Sequence, residues 1–413
     1  MNRSVSAPPL SRDAVRARVL LSLLTTALLA AAVEAAFPRL VRFVPLALQR
    51  DLPPAVGLLA QSSKRGIVPH DYTALLGDSY AAGEGDWHLS ANGRSNPPYH
   101  SAHLLHQGGL GDVISFGQSG AGSLSGIVQS PLGIEANLNA LGRFPPLEPP
   151  RIALIYFYEG NDLNDNLRDW RARFLPGFDS GRMIDSGYAQ RFIESLIAND
   201  PLVRQARAMN WKTRFLAARF VRTLSRRVLG LDPPPAGIVD LSSADPAEHA
   251  VNRARVGRDL VDLPDQLQGP ALELTDEELD VSQWLFQQVV VFMTRHWTTT
   301  RFVIVLVPSP LSCYALAGER VSTQSYEGRG SIYPLAMVRQ NSDRIAGELR
   351  RVAAAADIGF IDARPEIAAV AARRMVHGPR DWKHFNRAGY EALADAILAG
   401  LGRTRPVSGR PVS

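Results

Sequence analysis

The sequence predicts a three-layer α/β/α sandwich, a parallel sheet held between two layers of helices. Three observations carry this. Short apolar runs recur at 72–76, 113–116, 152–157, 302–307 and 358–361. They are continuous rather than alternating, as suits strands buried on both faces. Segments with helical spacing lie between them, and strands alternating with helices give this layering. At 413 residues the chain is long enough for two or three domains, or for one large domain with an insertion.

The amino terminus comes first. Residues 19–33 carry no charge, and Arg3, Arg12, Arg16 and Arg18 precede them against a single Asp13. That bias places the amino terminus in the cytoplasm and whatever follows residue 40 outside it. Fifteen uncharged residues lie between the lengths typical of a span and of a signal peptide. The expectation is an anchor over 19–37 after a cytoplasmic segment 1–18, with a cleaved signal or a buried helix as alternatives. A polar, Pro-containing stretch at 38–70 reads as a linker.

The folded unit is expected at 71–402. Thr275-Asp276-Glu277-Glu278 is a capping-box start for a helix over 279–297. Apolar residues at helical spacing predict helices over 335–356 and 387–401. Roughly 145 residues separate the third and fourth runs, far beyond an ordinary connection. Most of them form an insertion at about 165–272. It begins basic (Arg204, Arg207, Arg214, Arg219, Arg222, Arg226, Arg227) with Trp211, Phe215 and Phe220 among the arginines, then turns rich in Pro and Asp. It reads either as a cover over the active edge of the sheet or as a solvated decoration. The tail, 403–413, repeats RPVS twice and is expected to be disordered.

Composition narrows the function. The net charge is +5, lysine occurs only at 64, 212 and 383, and no run of five like charges occurs. A nucleic-acid partner is therefore not expected. Cys313 is the single cysteine, so no internal disulfide forms; it reads as a small buried residue.

Four segments at strand ends carry chemistry. Gly77-Asp78-Ser79-Tyr80 follows the first strand, and a strand-to-helix turn presents Ser79 at the carboxyl edge, where α/β proteins bind ligands. Asp78 is expected to hold this turn through its side chain. Gly117-Gln118-Ser119-Gly120 follows the second strand, where a glycine backbone can approach a ligand. Glu159-Gly160-Asn161-Asp162 follows the third, and Asn161 offers a neutral donor for an oxyanion. Near the far end, Asp381-Trp382-Lys383-His384 sets a carboxylate three residues before an imidazole, a spacing at which it can fix the tautomer and stabilise the imidazolium.

Each segment alone is a weak signal; in this order, at successive strand ends, they resemble the SGNH (GDSL-type) hydrolase family. Ser79, Gly120, Asn161 and His384 match its four namesake positions, and Asp381 matches the acid of its Asp-x-x-His pair. The resemblance covers about 70–165 and 300–400. It implies a flavodoxin-like sheet of order 2-1-3-4-5, Ser79 as nucleophile and His384 as general base. It also implies an oxyanion hole from the N–H groups of Ser79 and Gly120 and the side chain of Asn161. In one place the chain departs: Glu159 stands where the family's third block has its first glycine, and is expected to add negative charge beside the site.

Competing motifs are weaker. Gly120, Gly122 and Gly126 nearly spell a dinucleotide fingerprint, but after the wrong strand. His88, His100, His103 and His106 lack a carboxylate or thiolate to complete a metal site, so no metal or other cofactor is expected. Glu84 and Asp86 read as solvated acids, or as a subsite for a cationic or sugar group. The functional expectation is a serine esterase acting on an acylated small molecule, glycan or lipid outside the cytoplasm. An acyltransferase with the same triad and a silent SGNH-like glycan-binding module are the alternatives. The oligomeric state is not legible.

Overall fold

The computed structural model describes residues 12–49, 52–90, 101–231, 252–265, 267–324 and 330–403. Five parallel strands form the central sheet: β1 (Thr73–Leu76), β2 (Val113–Ser115), β3 (Ile152–Tyr158), β4 (Arg301–Val307) and β5 (Gly359–Asp362). Their order is β2-β1-β3-β4-β5, as the resemblance implies.

Along β3 the residues divide by parity. Ala153, Ile155 and Phe157 enter one core, and Ile152, Leu154, Tyr156 and Tyr158 the other. This double burial explains why the run is apolar throughout. Helices Ser130–Ala140, Asp276–His296 and Leu335–Ala355 cover the first face; Arg364–Ala371 and Arg387–Gly400 cover the second. The expected capping box is present: the hydroxyl of Thr275 accepts from Glu278 N (3.3 Å), and the Glu278 carboxylate accepts from Thr275 N (3.0 Å).

Residues 38–70 are not a linker. Helix Pro54–Ala60 buries Val56, Leu58 and Leu59 in the first core. The chain then runs antiparallel along the free edge of β2. Gln61 there acts as a short surrogate strand, its amide donating to Ser115 O (2.7 Å) and accepting from Ser115 N (2.8 Å). Val113 N donates to Ser63 O (2.9 Å). An edge covered in this way has no unpaired backbone to offer another chain. The sequence hid this segment because PAVGLLA is too short to show a period.

The insertion lies chiefly on the flank of the first helical layer, not over the active edge. Gln190 donates to Gln288 O (3.1 Å), Asn137 to Leu202 O (2.6 Å), and Trp284 to Met183 O (3.2 Å). Trp170, Phe174 and Phe178 pack around Trp284, and Phe192 against Phe174 and Phe178, as an aromatic annex to the core, with Trp170 and Trp284 edge-on at 5.5 Å. Its last part returns to the carboxyl edge of the sheet, where Gln268 accepts from the Tyr158 hydroxyl (2.8 Å).

The amino-terminal apolar segment is one helix, Arg12–Leu40, longer than the stretch expected. Leu20, Leu24, Leu28 and Val33 are each more than half exposed, so it is no buried core helix. Burial begins at Glu34 and Phe37. The tail beyond residue 403 lies outside the described residues.

Candidate active site

The carboxyl ends of β1, β2 and β3 are locked together before any functional side chain is considered. After β1 the chain turns at Gly77, whose φ of 138° suits glycine; a Cβ there would meet Tyr156 O at 2.7 Å. Gly126 packs just as closely, since a Cβ on it would lie 2.4 Å from Gly77 O. Gln118 N donates to Gly77 O (3.2 Å) and Gly77 N to Gly126 O (3.3 Å). The loop after β2 is tied in turn to the helix Asp162–Asp169 that follows β3: Ser123 N donates to Asn166 Oδ1 (2.7 Å), and Arg168 to Gly120 O (2.6 Å).

Ser79 opens the short helix Ser79–Ala82. As expected, Asp78 caps it, its Oδ1 accepting from Tyr80 N at 2.9 Å. Ser79 is almost wholly buried, and its Oγ stands 2.9 Å from His384 Nε2 and 3.2 Å from Asp78 Oδ2. His384 Nδ1 lies 2.8 Å from Asp381 Oδ2. Asp381 also accepts from the backbone N–H groups of Lys383 (2.9 Å) and His384 (3.1 Å), so the acid fixes both the ring and the loop that carries it. The three side chains thus form one continuous relay.

Charge states follow from these contacts. Burial alone would depress the His384 pKa, but the Asp381 hydrogen bond and charge outweigh it, and Glu84 and Asp78 add to them; the net shift is upward. Burial would raise Asp381, and the same His384 bond reverses that, leaving it below the usual carboxylate range. Asp78, fully enclosed, is pushed up to about 6 by burial.

Three supporting residues were not found from the sequence. Asp86 accepts from the backbone of Arg380 (2.6 Å) and Asp381 (3.1 Å), which makes it a brace for the acid loop and not a solvated acid. Tyr80 donates to Lys383 O (2.7 Å) and lies against Tyr158, His384 and Phe385. Glu84 accepts from Ser119 (3.2 Å), and burial raises its pKa. Its proximity to Ser79 in sequence was visible; its partners, supplied by other loops, were not.

Gly120 and Asn161 are both at this edge. Gly120 has φ 65° and open space where a Cβ would be. Asn161 is the N-cap residue of Asp162–Asp169. Glu159 does not add charge beside Ser79. It is fully buried and accepts from Ser309 N (2.9 Å), Ser309 Oγ (3.0 Å) and Ser342 Oγ (2.7 Å), joining the ends of β3 and β4 to helix Leu335–Ala355. The glycine has moved one place on: a Cβ at Gly160 would lie 2.3 Å from the Tyr158 ring.

A cleft of about 690 Å³ borders the turn after Ser79; Glu84, Ser119 and Trp87 line one end, and Leu52 and Leu46 the other. Among the described residues the histidines singled out earlier form no metal-type cluster, and His88 stacks on Trp87. His103 bonds Ser62 Oγ (2.9 Å), His106 bonds Gly111 O (2.5 Å), and His100 lies outside the described residues. Cys313 is buried, as expected.

No family model and no curated protein matches the chain. Among solved structures it is similar to an extracellular lipase from Streptomyces rimosus, at 13% identity and TM-score 0.38 over 80% of this chain and 98% of that one. It is similar to phospholipase A1 from Streptomyces albidoflavus NA297, at 14% identity and TM-score 0.34 over 80% and 97%. A third is BT4096, a gut microbial diltiazem-metabolizing enzyme, at 13% identity and TM-score 0.29 over 83% and 49%. In the order of its sheet and the succession of four blocks along it, the chain resembles the SGNH (GDSL-type) hydrolases.

Proposed function

We propose that this protein is a serine ester hydrolase that works through an acyl-enzyme on Ser79, with its catalytic domain outside the cytoplasm on an uncleaved amino-terminal anchor. The observation that carries the reading is the Ser79–His384–Asp381 relay: Ser79 and His384, 305 residues apart in sequence, meet at 2.9 Å, and Asp381 holds the other ring nitrogen at 2.8 Å. A serine hydroxyl is a poor nucleophile until a base removes its proton as it attacks. His384 Nε2 takes that proton, Ser79 Oγ bonds to the acyl carbon, and the imidazolium is stabilised by Asp381. The tetrahedral oxyanion is met by Ser79 N–H, Gly120 N–H and the Asn161 amide, each donor worth roughly 3 kcal/mol. The alcohol leaves with the proton from His384; water, deprotonated by the same ring, then releases the acid. The cleft beside Glu84 and Ser119 offers room for the acyl group or the departing alcohol.

A fluorophosphonate probe should label Ser79 alone, and Ser79→Ala should abolish labelling while the protein stays folded. Labelling at another serine, or full turnover of p-nitrophenyl acetate by Ser79→Ala, refutes the assignment. Adding sugar acceptors to that assay separates hydrolysis from transfer, since transfer yields an acylated sugar in place of free acid.

A further inference from the structure

Glu34 is the only charged residue between Arg18 and Arg39, deep in an apolar helix where a bare carboxylate would be expensive. It is fully engaged. Its carboxylate accepts from Leu216 N (2.6 Å), Ala217 N (2.9 Å) and Arg143 (2.6 Å), and Arg143 also donates to Glu34 O (3.0 Å). A residue of the apolar helix thus caps the start of helix Leu216–Val228, which lacks a side-chain cap of its own. Phe37 packs against Phe220 with the rings tilted at 5.7 Å, and Val41 is fully buried. The end of the apolar helix is built into the domain rather than tethered to it.

The point of attachment fixes the orientation. Arg143 follows the carboxyl end of helix Ser130–Ala140, whose start touches the carboxyl end of β2 through Ser130 Oγ and Phe116 O (2.8 Å). That helix is about 16 Å long and runs toward the amino ends of the strands. β3 then returns roughly 20 Å to reach Tyr158 beside Tyr80. The uncharged stretch 19–33 is about 22 Å long, short for a bilayer core, so Glu34 and its partners must sit at the lipid surface. Residues around the dock suit that place: Phe43 and Trp211 are about two-thirds exposed, and Arg222 and Arg226 are exposed with Val221 and Val228 beside them.

We propose that the Glu34 dock presses the Leu216–Val228 face onto an anionic bilayer and holds Ser79 on the far side of the sheet, roughly 20 Å from the lipid surface. The substrate is then an acyl ester on a water-exposed carrier such as a glycan, not a lipid lying in the same membrane; this substrate class rests on the hydrolase reading, and the orientation does not.

Full-length protein in vesicles of phosphatidylcholine and phosphatidylglycerol, with a headgroup-labelled acceptor lipid, tests the orientation. Cys313 is buried, so a donor dye can be placed on Arg222→Cys or Ser119→Cys alone. Energy transfer should be several-fold stronger from position 222 than from 119, and Glu34→Ala should narrow the difference. Equal transfer, or stronger transfer from 119, overturns the orientation. In the same vesicles, p-nitrophenyl acetate in solution should be turned over at least tenfold faster than a bilayer-anchored p-nitrophenyl ester. Equal rates overturn the substrate class and make the cleft running toward Leu46 a lipid path. No turnover of either ester, with the transfer pattern intact, defeats the hydrolase reading and the substrate class while the orientation stands.

Discussion

The hydroxyl of Ser79 lies between two acceptors, His384 Nε2 and Asp78 Oδ2, and in the proposed mechanism only the first takes its proton. Whether the ring is free to accept depends on pH. His384 must be neutral to take the proton, and its pKa is raised by Asp381 against the pull of burial. Turnover should therefore rise with pH through a limb above the ordinary imidazole value of about 6.5. In Asp381→Asn the leading raising charge is gone, with only Glu84 and Asp78 left to oppose burial, so the limb should move to lower pH while the plateau falls; an unmoved limb in a pH–kcat/KM series would detach Asp381 from His384. His384→Ala should lose roughly 10²-fold to 10⁴-fold in kcat with little change in KM. That Ser79, His384 and Asp381 meet could be expected from the sequence because each lies in a short motif at a strand end or at a fixed spacing from its neighbour. The roles of Asp86 and Tyr80 could not: their partners, Arg380, Asp381 and Lys383, lie some three hundred residues downstream, and no local pattern announces such a contact.

At the scale of elements, legibility followed burial. Strands enclosed on both faces show as unbroken apolar runs, so β3 and β4 could be placed to within a residue. The helix Pro54–Ala60 and the Gln61–Ser63 edge were hidden, because a side-chain amide standing in for a strand leaves no periodic trace. Glu159 was misread for a related reason. Its position in the motif pointed to the site, while its three serine-borne donors come from Ser309 and Ser342, about 150 and 183 residues away. The edge contact gives a measurable prediction. Gln61→Ala leaves the N–H and C=O of Ser115 to water, and should lower unfolding stability in urea by about 1–2 kcal/mol while Ser79 labelling is retained. A loss below about 0.3 kcal/mol would mean that water replaces the amide fully.

Across the whole molecule, one apolar helix with arginines before it and a docked acid near its end decides where everything else stands. If the charge bias places Arg12, Arg16 and Arg18 in the cytoplasm, as proposed, a reporter fused after residue 403 should be active only outside it; activity confined to the cytoplasm would reverse the topology. The insertion, ambiguous in the sequence between cover and decoration, divides between the two places. Its helices brace the flank and receive the end of the amino-terminal helix, and its last residues return to Tyr158.

The Glu34 dock also sets a rule for producing the protein in quantity. Exchanging the amino-terminal helix for a conventional cleavable leader, with the mature chain begun after residue 37, removes the carboxylate that Leu216, Ala217 and Arg143 share and the ring that covers Phe220. The secreted product would expose an uncapped helix start and an unpaired guanidinium at the site that Glu34 had covered, and would be prone to clump there. A soluble form has to carry residues 34–41 forward as part of its own fold, with the boundary drawn inside the hydrophobic helix and not after it.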